Sequence, residues 1–169
     1  MKKKAHLTRK FRKQKKKFSF KIALYSALAV ILTAIIGSSF TDTSGWYESI
    51  KPLGITPPNY VFPIAWTILY ILIGFSMILS ITNSQGITKY KIISLFAINL
   101  FFNALWSILF FGFHYTQIAF MDLIIILLST LALINICWKV SKLSSWLLLP
   151  YALWLVYAGL LNFVIAFMH

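Results

Sequence analysis

A stripe of polar and aromatic residues runs through a long apolar segment in the second half of the chain. Asn99, Asn103, Trp106 and Phe110 follow one another at intervals of four, three and four residues, which places them on one face of an α-helix. Two amides and an indole are costly to expose to hydrocarbon, so this face should point towards other helices. The stripe therefore predicts either a polar contact between helices or part of a binding site.

Two further apolar segments carry aromatic side chains at helical spacing. Aromatic rings can stack on the plane of a flat ligand, while amides and hydroxyls fix its orientation. Three such faces turned inward would form a pocket for a flat, apolar ligand with a polar edge. The alternative left open is that these rings and amides serve only packing and hydrogen bonding between helices. The two faces are Phe62, Trp66, Tyr70 and Ile73, and Pro150, Trp154, Tyr157 and Leu161 flanked by Tyr151, Ala158 and Asn162.

Other reactive side chains are few. Asp122 is the only acid within an apolar segment, where an unpaired carboxylate is costly. A structural hydrogen bond or helix N-terminal role near the membrane interface is one interpretation, and a ligand or proton role is the other. Cys137 is interpreted as a small apolar residue. His6, His114 and His169 are scattered, so neither a metal site nor a cofactor is predicted.

The elements that must position these residues are membrane-spanning helices. Of the 169 residues, 60% are hydrophobic and 11% are charged, which is more apolar surface than a soluble domain of this size can bury. Five apolar segments each approach the roughly 20 residues needed to cross the hydrocarbon layer. The predicted fold class is therefore an all-α integral membrane protein, a five-transmembrane-helix bundle. The predicted helices are at about 21–40, 61–82, 90–113, 117–138 and 144–167.

The first 20 residues are strongly basic. Ten of the sixteen Lys and Arg residues lie between Lys2 and Lys17. We therefore divide the chain into a basic, disordered cytoplasmic tail at 1–20 and a transmembrane domain at 21–169. Such a run directly before an apolar span favours a topology signal that contacts anionic lipid headgroups over a nucleic-acid partner.

The remaining lysines predict the orientation in the membrane. Lys89 and Lys91 lie in the second connection, and Lys139 and Lys142 in the fourth. Because positive charge concentrates in cytoplasmic connections, the N-terminus should be cytoplasmic and the C-terminus outside. The longer first connection, 41–60, should then lie outside.

Four groups of residues, spread in order over 42–165, are together specific enough to indicate a family. The chain resembles the translocator protein family, whose members are also called tryptophan-rich sensory proteins. A bacterial member in the cell membrane is the expectation that follows. The matching residues are Trp46-Tyr47, Lys51-Pro52 and Pro57-Pro58; Phe62, Trp66, Leu69-Tyr70 and Gly74; Asn103, Trp106-Ser107 and Phe110-Phe111; and Pro150-Tyr151, Trp154, Ala158 and Leu161-Asn162.

The resemblance implies a five-helix bundle, commonly a homodimer, with a pocket under the first loop that binds porphyrins and other hydrophobic ligands. Trp66 and Trp154 match the pocket tryptophans, and Ala158 matches a small residue said to influence binding. Gly54 and Asn99 depart from the family pattern, which often has a tryptophan and a glutamine there. The animal sterol-recognition pattern is absent, so cholesterol import is not expected.

Three functions follow as hypotheses. The first is a protein that binds porphyrin-like ligands in sensing, regulation or transport. The second is an enzyme for light- and oxygen-dependent protoporphyrin degradation, with Trp66 and Trp154 as catalytic candidates. The third is a membrane interaction protein whose pocket holds lipid. The predicted ligand-binding residues are Trp46, Pro57, Phe62, Trp66, Tyr70, Asn99, Asn103, Trp106, Phe110, Trp154, Tyr157 and Ala158.

Overall fold

Helices dominate the computed structural model, which describes residues 19–52 and 54–168. The basic tail predicted at 1–20 lies almost entirely outside the described residues. Within them, five helices are long and apolar enough to cross a membrane, which confirms the predicted fold class. The helices are α1 (Phe20–Phe40), α2 (Trp46–Ile50), α3 (Val61–Asn83), α4 (Gly86–Ser107, extended by a π-helical turn at Ile108–Gly112), α5 (Thr116–Trp138) and α6 (Lys142–Phe167).

Local signals explain where two of these helices begin. Helix α4 starts four residues before the predicted 90, because Gly86 adopts a φ of +53° that lets the chain turn sharply out of α3. Helix α6 starts two residues before the predicted 144. Its N-cap is Ser141, whose hydroxyl accepts a hydrogen bond from the backbone N–H of Ser144 at 3.3 Å, a common way to satisfy a free helix end.

The five long helices form a ring in the order α1, α3, α6, α5, α4. Helix α1 packs against α3 and α4, α6 packs against α3 and α5, and α5 also packs against α4. Helices α3 and α4 are consecutive but contact each other only slightly. The ring therefore leaves room between α1, α3 and α4.

Small polar residues join three helices at one end of the bundle. The Ser76 hydroxyl donates to the Ser144 carbonyl at 2.9 Å, and the Ser144 hydroxyl donates to the Ser76 carbonyl at 2.8 Å. The Ser145 hydroxyl donates to the Ile134 carbonyl at 2.7 Å. Small residues allow close approach of helices in lipid, and their hydroxyls hold the contact. This end of α3, α5 and α6 is therefore tightly fixed, whereas the other end carries the cavities.

Candidate functional site

An internal space of about 250 Å³, the inner cavity, lies between α1, α3, α4 and the loop before α3. Four of the predicted ligand-binding residues contribute to its wall: Phe62, Trp66, Tyr70 and Asn103. The inner cavity thus brings together aromatic residues of α3 and one amide of α4. The full lining is Ala34, Gly37, Ser38, Thr41, Thr43, Asn59, Phe62, Pro63, Trp66, Tyr70, Asn103 and Ser107.

A smaller space of about 40 Å³, the loop cavity, adjoins it. Its volume suits water rather than an organic ligand. Three predicted residues, Trp106, Phe110 and Ala158, line this space and not the inner cavity. Both spaces share Phe62, Thr41 and Thr43. The full lining is Thr41, Thr43, Tyr47, Phe62, Trp106, Phe110, Phe111, Ala158, Leu161, Asn162 and Ile165.

A chain of hydrogen bonds runs from the inner cavity into the bundle. The Tyr70 hydroxyl donates to Asn103 Oδ1 at 2.5 Å, and Asn103 Nδ2 donates to the Tyr151 hydroxyl at 2.9 Å. The Tyr151 hydroxyl in turn donates to Asn99 Oδ1 at 3.2 Å. The chain links α3, α4 and α6, and it holds the Asn103 amide in a fixed orientation at the cavity wall.

Asn99 lies at the inner end of this chain and lines neither cavity. Its Nδ2 contacts the Ile126 carbonyl at 3.1 Å, the Ser129 hydroxyl at 2.8 Å and the Thr130 hydroxyl at 2.9 Å. Since both ends of the amide are engaged, Asn99 ties α4 to α5 and α6. Its role in this structure is to join helices.

The two candidate catalytic tryptophans occupy different positions. Trp66 lines the inner cavity, and its ring centroid is 5.5 Å from that of Tyr70. Trp154 lies behind it, 6.5 Å away between centroids, and faces an outer groove between α3 and α6 together with Tyr157. Trp154 Nε1 is buried and has no hydrogen-bond partner among the described residues. Only Trp66 of this pair is therefore in place to contact a ligand in the inner cavity.

Helix α2 covers the loop cavity with aromatic rings. Trp46 stacks on the imidazole of His114, with 4.0 Å between centroids and 15° between planes, and meets the edge of Phe110. Tyr47 is buried against Phe62, Phe110 and Phe111. Burial raises the pKa of the Tyr47 phenol to about 12, so the phenol stays neutral at physiological pH. Trp46 packs on the outer side of the loop cavity and lines neither cavity.

Hydrogen bonds pin the loop in place. The Tyr157 hydroxyl donates to the Ile55 carbonyl at 2.8 Å, which connects α6 to the loop. Asn59 Nδ2 donates to the Thr43 carbonyl and to Glu48 Oε2, each at 3.2 Å. An ion pair with Lys51, together with the Asn59 bond, holds the pKa of the Glu48 carboxyl below its usual value. These bonds hold the loop beside the inner cavity at the start of α3.

Two residues singled out from the sequence lie apart from the cavities. Pro57 is half-buried in the loop and lines neither space. Asp122 is buried in α5, and its two carboxylate oxygens have no hydrogen-bond partner within residues 19–52 and 54–168. The structural hydrogen bond considered for Asp122 is therefore not found among those residues.

Helix α1 supplies a wall of the inner cavity that our sequence analysis missed. Ala34, Gly37, Ser38 and Thr41 line it, and their i, i+3, i+4, i+7 spacing is that of one helical face. Gly37 faces α4 and α3, since a Cβ there would lie 3.4 Å from the Ser107 hydroxyl and 3.7 Å from the Tyr70 hydroxyl. A face of small residues within an apolar helix was the available signal.

The sequence is similar to those of known proteins over most of its length. The model of the TspO/MBR family matches residues 26–168. The tryptophan-rich protein TspO of Archaeoglobus fulgidus is 37% identical over 142 residues, which cover 83% of this chain and 92% of that protein. Protein CrtK of Rhodobacter capsulatus is 34% identical over 70% of this chain and 74% of its own length. The human translocator protein is 29% identical over 85% of this chain and 87% of its own length.

Proposed function

The chain belongs to the TspO/MBR family, and from that premise we propose that it binds porphyrin-like and other hydrophobic ligands in the inner cavity. Through this binding it acts in sensing, regulation or transport at the membrane. The observation that carries the proposal is the composition of the cavity wall. Phe62, Trp66 and Tyr70 present rings, while Asn103 and Asn59 present amides. Mostly apolar walls with a few placed polar groups are typical of small-molecule sites.

Asn59 strengthens the proposal because it offers an unused hydrogen-bond acceptor. Its Nδ2 group is bound to the loop, but its buried Oδ1 atom has no partner within the described part of the chain. A buried carbonyl without a partner costs stability. A pyrrole N–H or another ligand donor at the loop side of the inner cavity would remove that cost.

The cavity volume sets a requirement on binding. About 250 Å³ is slightly below the roughly 300 Å³ at which pockets for drug-sized ligands begin. Merging with the loop cavity would add only about 40 Å³, so a tetrapyrrole also requires the walls of the inner cavity to move apart. Phe62 lines both spaces, so rotation of its ring and a shift of the covering loop are the movements we propose.

The names of relatives support the sensing and transport parts of the proposal. One relative, from Cereibacter sphaeroides, is named tryptophan-rich sensory protein, and the human and bovine relatives are named translocator protein. We extend sensing or translocation to this chain by analogy. The proposal also includes a bacterial cell membrane, a cytoplasmic N-terminus, a homodimer and contact of the basic tail with anionic lipid, all of which rest on the sequence.

Binding is tested by titrating protoporphyrin into the protein in nanodiscs and following its Soret absorbance in darkness. Trp66→Ala should cost on the order of 1–3 kcal/mol, the range for stacking of a flat base on an aromatic side chain, or about tenfold or more in affinity. Trp146→Ala is the matched control, because Trp146 is exposed on the outer surface and should leave the affinity within about twofold. Parent-like binding by a folded Trp66→Ala protein would contradict the proposal.

Light- and oxygen-dependent degradation of protoporphyrin is the second candidate function. The observation that favours it is the adjacent pair of indoles, Trp66 and Trp154, with 6.5 Å between centroids. Illumination of the complex in air should then bleach the Soret band and produce a new chromophore, whereas a binder keeps the band. Absence of any spectral change with protoporphyrin would favour a lipid-filled cavity instead.

A further inference from the structure

A second opening, the α1–α3 groove, lies on the outer surface of the bundle. It has a volume of about 370 Å³ and is lined by residues between 27 and 34 of α1 and between 67 and 78 of α3. These residues lie in the middle of two spanning helices, Phe20–Phe40 and Val61–Asn83. The groove therefore opens at the depth of the hydrocarbon layer, away from both aqueous surfaces.

The groove adjoins the inner cavity. Ala34 and Tyr70 line both spaces, so the two spaces meet at this pair of side chains. We call the gap between these two side chains the passage. Ala34 presents only a methyl group on one side of it, and the half-buried Tyr70 ring forms the other side. Further along the groove, towards Gly74, α1 and α3 lie close together, since a Cβ on Gly74 would lie 3.9 Å from Val30 Cγ2. The separation between groove and cavity is thus one layer of side chains.

The chemistry of the groove suits an apolar molecule arriving from lipid. Ile31, Ile71 and Phe75 are each more than half exposed there, and no charged residue is among the lining residues. The two polar side chains are already engaged: the Thr67 hydroxyl donates to the Pro63 carbonyl at 2.7 Å, and the Tyr70 hydroxyl donates to Asn103. An apolar molecule resting in the groove would leave no polar group of the groove unsatisfied.

The loop at the aqueous end of the inner cavity is held by more hydrogen bonds than the Tyr70 ring. The loop is held by the bonds from Tyr157 to Ile55 and from Asn59 to Thr43 and Glu48. Movement of the loop breaks several hydrogen bonds at once. Rotation of the Tyr70 ring breaks one.

We propose that the α1–α3 groove is a lateral entrance through which apolar molecules dissolved in the bilayer reach the inner cavity, with the Tyr70 ring as its gate. The identity of the natural ligand rests on the proposed function. The entrance itself does not, because any small apolar molecule should be able to use it.

The test places a reactive thiol inside the cavity and compares reagents that approach from different phases. Ser107 is buried and lines the inner cavity, so Ser107→Cys in a Cys137→Ser background gives a thiol that is reached through the cavity. The protein is reconstituted in phosphatidylcholine vesicles and treated with N-phenylmaleimide, which partitions into lipid, or with a sulfonated maleimide. After normalisation to the exposed Ser44→Cys protein, the apolar reagent should react at least tenfold faster.

Variants at the passage should change that rate in opposite directions. Ala34→Trp should slow N-phenylmaleimide at least fivefold by filling the passage, and Tyr70→Ala should accelerate it at least threefold by removing the gate. Gly74→Phe obstructs the groove without lining the inner cavity and should also slow the reaction. Ala65→Trp is the matched control, because Ala65 lines the other outer groove, between α3 and α6, and should leave the rate within twofold.

Equal rates for the two reagents would overturn the inference, as would an unchanged rate in both Ala34→Trp and Gly74→Phe. In either case the molecule enters past the loop. Circular dichroism and unchanged reactivity of Ser44→Cys in the same variants establish folding. If the protein shows the expected labelling but binds no protoporphyrin, the lateral entrance is supported and the proposed ligand is refuted. Failure of the lateral entrance and failure of the proposed function can therefore be told apart.

Discussion

The hydrogen-bond chain at the cavity wall allows a stability prediction graded by position. Tyr70→Phe removes one bond, to Asn103, and Tyr151→Phe removes two, to Asn103 and Asn99. Tyr90→Phe is the control, because Tyr90 is exposed. Each substitution deletes a single hydroxyl and keeps the ring, so packing is nearly unchanged. Differences among the three proteins therefore report hydrogen bonding.

The expected magnitudes follow from the surroundings of each hydroxyl. Hydrogen bonds between helices in a bilayer contribute about 0.6 kcal/mol on average and at most about 1.7 kcal/mol. Asn103 borders the inner cavity, where water can replace the Tyr70 hydroxyl, so Tyr70→Phe should cost about 0.5–1 kcal/mol. Tyr151 is fully buried, and its loss leaves two amide groups without replacement. Tyr151→Phe should therefore cost about 1.5–3 kcal/mol.

Equilibrium unfolding in mixed micelles of rising dodecyl sulfate content, followed by tryptophan fluorescence and circular dichroism, measures these free energies. The order should be Tyr151→Phe, then Tyr70→Phe, then Tyr90→Phe close to zero. If Tyr70→Phe destabilises the protein as much as Tyr151→Phe, water does not reach Asn103 through the inner cavity. If neither differs from Tyr90→Phe, the chain of hydrogen bonds does not stabilise the bundle.

Two further predictions concern the membrane and the tail. In a Cys137→Ser background, Ser44→Cys should react with an impermeant thiol reagent on intact cells. Gln85→Cys, which lies at an exposed position of the second connection, should react only after lysis. The reverse pattern would refute the orientation. Deletion of residues 2–17 should leave protoporphyrin affinity within about twofold while weakening association with anionic vesicles; a tenfold loss of affinity in correctly inserted protein would show that the tail contributes to the site.

Helical periodicity predicted part of the site because it reports which face of a helix is buried. Phe62, Trp66 and Tyr70 share a face of α3, and this face does line the inner cavity. Asn99 and Asn103 also share a face, yet one joins helices and the other borders the cavity. Periodicity shows that a face is turned inward, but it does not show whether the space beyond it holds a neighbouring helix or a ligand.

The contribution of α1 was missed for a different reason. Its cavity-lining residues, including Ala34 and Gly37, are small. Small residues line a cavity because their side chains leave space unfilled. They carry no ring or strong polar group, so their residue types do not indicate a binding site. The π-helical turn at Ile108–Gly112 was also beyond prediction. Phe110 and Phe111, which both line the loop cavity, lie within this turn.

The position of Trp154 allows a test that distinguishes a protein that only binds protoporphyrin from an enzyme that degrades it. Trp154 touches Trp66 but lines the outer groove between α3 and α6, and the inner cavity is on the other side of Trp66. A protein that only binds protoporphyrin should therefore tolerate Trp154→Phe with little change in affinity, while Trp66→Phe keeps a stacking face and also retains most affinity. An enzyme in which light-excited protoporphyrin takes an electron from the inner indole, and the outer indole replaces that electron, needs an oxidisable ring at both positions. In that case Trp154→Phe should abolish the light-dependent loss of the Soret band, although the ring it changes never meets the ligand. Equal bleaching rates for the parent and Trp154→Phe proteins, at equal occupancy, would exclude this relay and leave Trp66 as the one tryptophan of the pair that takes part.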